Sequence, residues 1–278
     1  MKTLKSLNRA QRHIDRYRKG DALLKIVDPH GRPCSGLPVS VEQESHRFQF
    51  GCVVSDLSGF SDDDRARYDR RLREVFNVVR REKGELPVEA NVLNVDLSGV
   101  SQHMHLARVQ RELDRLDEQA ARPRSAMPDV QVYVSGRTLG WCLDQRPPGI
   151  HTVDEEKAAQ SLASLYTLCF AHPRVRGVFW CGLSDRERGV DGGGLLQENL
   201  SPKHAHRTLR KLIHVVWHTR DRGRTDALGR FRFRGFYGTY RVVVAADGAT
   251  PVIRKFELHP EHQEESIVVP EGGFDADA

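Results

Sequence analysis

Long apolar runs are missing from this chain: no stretch approaches the ~20 residues that a membrane-spanning helix needs, which excludes a helical span. The opening residues MKTLKSLNRAQRHIDRYRKG are basic but lack an apolar core, so they do not read as a secretory signal. A cytoplasmic location is the default expectation; an extracellular or periplasmic one follows if the natural start lies upstream. Cysteine is sparse. Cys34, Cys52, Cys142, Cys169 and Cys181 are odd in number and widely spaced, with no CxxC pair. That excludes a disulfide framework and a cysteine zinc site, and leaves reduced, buried thiols. The histidines show no HExxH spacing; His103/His105 and His204/His206 lie two apart and diverge on a helix, so no metal site is expected. Gly192-Gly193-Gly194 lacks the Lys-Ser/Thr of a phosphate loop, and Ser135-Gly136 lacks the G-x-S-x-G frame of a serine nucleophile. No cofactor is expected.

What remains is 278 residues, 38% hydrophobic and 29% charged, with a formal net charge of +5. That length suits one large domain or two smaller ones. Basic and acidic residues are interspersed, as in DDDRARYDRRLREVF, which reads as a solvated helix face. Nucleic acid is therefore not the expected partner. Arg234-Gly235-Phe236-Tyr237-Gly238-Thr239-Tyr240 looks like an RNA-recognition strand, but Tyr237 stands where that pattern wants Gly or Ala.

Texture changes along the chain. Residues 1–20 read as a polar leader helix. In 21–50, Leu24, Ile26, Val39 and Val41 alternate with polar residues around the turn Asp28-Pro29-His30-Gly31, which predicts a β-hairpin with a longer loop. In 221–270, Phe231, Phe233, Tyr240, Val242 and Val244 alternate in the same way. Neither flank can bury a face alone, so the two are expected to form one small β-sandwich. Between them, 51–220 alternates strand and helix, which argues for parallel βα units. The candidate strands are Phe48–Val54, Phe76–Val79, Ala90–Val95, Val130–Val134 and Gly177–Gly182, and the candidate helices Asp62–Glu74, Leu106–Gln119, Asp154–Phe170 and Pro202–Val216. A closed (β/α)₈ barrel needs eight strands and typically ~250 residues. The expected fold is thus α/β, an incomplete (β/α) barrel of the TIM type with about five of eight βα units, beside the β-sandwich. Residues 271–278 read as a disordered tail.

The order of these segments resembles a branch of glycoside hydrolase family 10, the xylanase-type barrels, whose members carry β-rich flanks. The matching pieces are RYRKGDALLKIVDPHGRPCSGLPVSVEQESHRFQFGC at the entry and first strand, then FNVV, followed by Glu82, at the second. LPVEANVLNVDLSG resembles the sixth strand, PDVQVYVSGRTLG the seventh and HPRVRGVFWCGLSDR the eighth. GGGLLQENLSPKHAHRTLRKLIHVVW follows, and TDALGRFRFRGFYGTYRVVV leaves the barrel. Between Val79 and Ala90 about ten residues stand where the family has three strands.

The resemblance implies a retaining glycosidase with two carboxylates roughly 5–5.5 Å apart. The nucleophile position, at the end of the seventh strand, is Gly136. The only segment resembling the acid/base pattern Val-x-Asn-Glu is Val92-Leu93-Asn94-Val95, which ends in Val95. Neither side chain can attack or donate a proton. The resemblance also implies substrate contacts by Glu82, Asn94 and Trp180, the last as a sugar platform. Asp96 and Asp185 follow strand ends and are the nearby substitutes; each also reads as a plain strand cap or turn residue. Trp180 reads equally well as core. Two functions result: a degenerate xylanase-like protein of carbohydrate metabolism with weak polysaccharide or oligosaccharide binding, or a non-catalytic protein-interaction module built on the β-sandwich. A shortened barrel also leaves strand edges, through which copies of the chain are expected to self-associate.

Overall fold

The computed structural model describes residues 2–81, 92–94, 111, 113–115, 130–135, 155–187, 190, 192–245 and 250–270. The fold is mixed α/β with several sheets, and the chain divides into two compact units. Residues 1–17 and 49–216 form the first, 18–48 and 217–278 the second. None of the described helices is long and apolar enough to cross a membrane.

The second unit is built from β1 (Lys19–Val27), β2 (Pro38–His46), β8 (Arg220–Arg224), β9 (Arg230–Phe236), β10 (Gly238–Val244), β11 (Val252–Leu258) and β12 (Glu264–Val268). They make a three-stranded sheet, order β12-β1-β9, and a four-stranded sheet, order β11-β10-β2-β8. The alternating apolar residues of both sheets share one core. Leu24 and Ile26 on β1, Phe231 and Phe233 on β9, Val39 and Val41 on β2, and Tyr240 and Val242 on β10 are all buried in it. The expected hairpin of residues 21–50 is not formed: β1 and β2 belong to different sheets. Their buried faces meet across the core instead of lying side by side, and the loop at Asp28 carries the chain from one sheet to the other. Two matching turns shape this unit. Asp28 Oδ1 accepts the amides of His30 and Arg32, and Asp226 Oδ1 those of Leu228 and Arg230. Gly31 and Gly229 supply the positive φ, +80° and +65°, that each turn requires.

The first unit holds a small all-parallel sheet of five strands, order β4-β3-β7-β6-β5. These are β3 (Gln49–Val54), β4 (Val78–Arg81), β5 (Val92–Asn94), β6 (Val130–Ser135) and β7 (Val175–Cys181). Among the described residues β4 and β5 are its edges, and no barrel closure is seen. One face packs on helix α3 (Glu155–Ala171), where Phe50 meets Tyr166 and Phe170 at ring separations of 6.5 and 5.3 Å. Helix α1 (Lys2–Tyr17) also packs on α3, and it buries Ala10 and Ile14. Helix α2 (Asp62–Arg73) starts as its sequence dictates: Ser61 Oγ accepts the Asp64 amide, and three aspartates fill the first turn.

Some boundaries differ from expectation. The strand after α2 begins two residues later, because Phe76 is still turned back to bond the Leu72 carbonyl. The last helix is α4 (His204–Lys211), continued by a π turn over Leu212–Val216. Most of the expected helix Leu106–Gln119 and the tail 271–278 lie outside the described residues.

Candidate functional site

In parallel α/β sheets the ends of the strands and the loops that follow them form the binding face. A cleft of ≈ 550 Å³ lies there, lined by Val54 ending β3, by Ser55, Asp56, Leu57 and Ser58 after it, by Arg65 of α2 and by Arg81 ending β4. The loop is locally ordered. Asp56 accepts both the amide and the hydroxyl of Ser58, and Arg65 Nη2 donates to the Leu57 carbonyl at 3.1 Å.

Beside the cleft sits a carboxylate that sequence reasoning passed over. Glu187 is only 2% exposed. Oε1 accepts the Tyr68 hydroxyl (2.8 Å) and the amides of Leu183 (2.7 Å) and Ser184 (2.8 Å). Oε2 accepts the Ser55 hydroxyl (2.8 Å) and amide (3.1 Å). A buried carboxylate survives only when its lone pairs are met in this way. Burial, and the Glu187 charge next to it, push the Tyr68 phenol far above its ordinary range. The signal was faint: Ser184-Asp185-Arg186-Glu187 reads as one more solvated charge run, and only the fold reveals which of its charges turns inward.

Asp185 is engaged elsewhere. Lys203 Nζ lies 2.7 Å from Oδ2, and the Gly194 amide donates to Oδ1 at 2.9 Å, so this carboxylate ties the loop after β7 to the start of α4. Arg186 pins the same loop to α2 through Asp64 (2.7 Å) and stands 4.5 Å over the Phe60 ring.

Trp180 is fully buried. It pairs in register with Cys52 and Val134, on the face that Phe50 turns toward α3. A ring with no exposed surface offers no platform to a sugar; it fills the core. The aromatic layer of the opposite face is Tyr133 and Phe179, stacked at 5.0 Å, with the Arg80 guanidinium 4.6 Å from the Phe179 ring and donating to the Tyr133 hydroxyl. Neither Tyr133 nor Arg80 was singled out from sequence. Asn94 ends β5 in register with Tyr133. Glu82, Val95, Asp96 and Gly136 lie outside the described residues. The structure thus brings Ser55, Tyr68 and Glu187 together, engages Asp185 with Lys203 and buries Trp180. No group of His, Cys, Asp and Glu among the described residues could hold a metal ion.

No protein-family profile matches the chain. A stretch of 99 residues is 40% identical to the anti-sigma-I factor RsgI6 of Acetivibrio thermocellus; it makes up 35% of this chain and only 13% of that protein. Among solved structures, xylanase 10B from Thermotoga petrophila RKU-1, in complex with xylobiose, is 18% identical with a TM-score of 0.30, over 45% of this chain and 37% of that one. The pilus backbone protein RrgB of Streptococcus pneumoniae is 11% identical with a TM-score of 0.22, over 90% of this chain and 40% of that one. The chain is thus similar to part of an anti-sigma factor and, at low TM-scores, to parts of xylanase and pilus structures.

Proposed function

We propose that the chain is a degenerate family 10-like scaffold of carbohydrate metabolism, an incomplete barrel that binds xylo-oligosaccharides weakly and does not hydrolyse them. The observation that carries this reading is the strand order. Under the resemblance, β3, β4, β5, β6 and β7 correspond to the first, second, sixth, seventh and eighth strands of a barrel. Closure makes first and eighth neighbours, so a barrel with its third to fifth strands removed has the order second-first-eighth-seventh-sixth. The sheet order β4-β3-β7-β6-β5 matches it. The same order favours the sixth-strand assignment of Val92–Asn94 over the fourth, since a fourth strand would not lie beside the seventh.

The state of the carboxylates supports the loss of hydrolysis. Retaining hydrolysis needs one carboxylate free to attack and another free to protonate. Glu187 is occupied by five donors and Asp185 by Lys203 and a backbone amide. Gly136 and Val95 offer neither function. The cleft, with two arginines, two serines and one exposed aspartate, can still hydrogen-bond sugar hydroxyls. Titration with xylohexaose tests this: binding near the millimolar range is expected, roughly −4 kcal/mol, and weakened in Arg81→Ala. No detectable binding, or binding indifferent to Arg81, would overturn the carbohydrate assignment.

A further inference from the structure

Two strands of the second unit, one at the edge of each sheet, are rich in arginine. β8 carries Arg220, Arg222 and Arg224, and β9, after a tight turn, carries Arg230, Arg232 and Arg234. The segment 220–236 itself contains only two acidic residues, Asp221 and Asp226. Both strands are sheet edges among the described residues, and they touch each other, the backbone at Gly223 lying against the Phe231 ring. Every residue of β8 is exposed.

Edge and charge are coupled here. β8 meets β2 through its odd-numbered residues: Thr219 O accepts the Gln43 amide, and the Thr225 amide donates to Leu37 O. In an antiparallel pair the intervening residues turn their backbone groups the other way, so Arg220, Arg222 and Arg224 present theirs to the open edge. Among the described residues a local cap is seen there, Asp221 Oδ1 accepting the Arg222 amide at 2.7 Å. The arginine side chains repeat every second residue, a pitch of about 6.8 Å in an extended strand. Glu42 pairs with Arg220 and Asp21 with Arg234, and Arg224 Nη1 donates to the Gly36 carbonyl. Glu42 also feels the charge of Arg222, and Asp226 and Glu264 that of Arg230 and Arg232, without a close ion pair among the described residues.

We infer that β8 is a docking edge for an extended acidic peptide, which adds as a further strand and sets alternate carboxylates against Arg220, Arg222 and Arg224. Charge complementarity and the two-residue pitch select this partner. A second copy of the chain would bring like charge to the edge and be repelled, which is how charged edges prevent self-pairing. Single-stranded nucleic acid binds through aromatic stacking as well as charge, and a glycan also packs on aromatic faces. The rings of this region, Phe231, Phe233 and Phe236, are buried. Strand addition supplies main-chain hydrogen bonds and reads alternate side chains, which is what an arginine-lined edge offers. The inference is independent of the family 10 reading.

The test is fluorescence anisotropy on the whole chain with a labelled ten-residue peptide alternating Glu and Thr. Three competitors run beside it: the same composition with all Glu in one block, oligothymidylate, and polygalacturonate. The alternating peptide should bind about tenfold more tightly than the block peptide, a difference of about 1.4 kcal/mol. An Arg222→Ser/Arg224→Ser variant should lose about tenfold, and an Arg254→Ser/Lys255→Ser control on the far edge nothing. Absence of binding, equal affinity for the block peptide, tighter binding of either competitor polymer, or equal loss in the control overturns the inference. The peptide series on the unmodified chain decides this even if the variants fold poorly.

Discussion

Tyr68, buried in α2, donates its hydroxyl to Glu187 at 2.8 Å and so joins the helix to the loop that follows the last parallel strand. The bond is one of five on a carboxylate with almost no exposure. Removing the phenol oxygen leaves four donors in place, so Tyr68→Phe should cost about 1–2 kcal/mol in urea denaturation. Glu187→Ala strands three backbone amides, the Ser55 hydroxyl and the phenol together and should cost about 3–5 kcal/mol. Equal effects of the two substitutions would show that the network does not centre on Glu187.

Gly51 makes room for Phe179. A Cβ at Gly51 would stand 2.2 Å from the Phe179 ring, which covers the strand at this point. Gly51→Ala should destabilise by about 1–3 kcal/mol through overpacking. Phe179→Leu in the same chain should recover part of that, giving a coupling of at least about 0.5 kcal/mol in a double-mutant cycle. Strict additivity would contradict the contact.

Much of the fold was legible wherever a local rule and the final environment agree. The Asp28 and Asp226 turns announce themselves by an aspartate three residues before a glycine, and α2 by Ser61 before three aspartates. The alternation of Leu24 with Ile26 and of Val39 with Val41 marked both strands, but not which sheet each joins. That depends on which buried faces meet, and no local pattern encodes it. β8 escaped notice because Arg220-Asp221-Arg222-Gly223-Arg224 has no apolar face; its pairing with β2 makes it a strand. The site was less legible. Trp180 and Phe179 are adjacent aromatics, and only register tells which one faces the helices. Glu187 was hidden among charges that look alike until the loop folds.

Trp180 separates core from platform experimentally. Trp180→Phe removes volume from a fully buried position and should lower stability by about 1–3 kcal/mol. Affinity for xylohexaose, measured below the melting transition, should stay within about twofold, or 0.4 kcal/mol. A selective loss of sugar binding without loss of stability would put the ring in the site.

His206 gives a pH signature. Burial lowers its pKa below the ordinary 6.5 and outweighs the Arg71 carbonyl, 3.1 Å from Nε2, which favours the protonated ring. The unfolded chain therefore takes up the proton first as pH falls. The contribution is whole above the unfolded pKa of about 6.5 and is lost as pH drops through it toward the lower folded value. Urea midpoints should fall between about pH 7 and about pH 5.5, and fall less in His206→Gln. Parallel slopes in the two proteins would rule His206 out as the source.

The central proposal is that the chain is a family 10-like scaffold with no working pair of carboxylates. Steady-state release of aryl alcohol from an aryl β-xyloside measures this directly. The unmodified chain should give no turnover above buffer, and neither should an Asp96→Asn/Asp185→Asn variant. Turnover by the unmodified chain that disappears in that variant would contradict the account and make those aspartates catalytic.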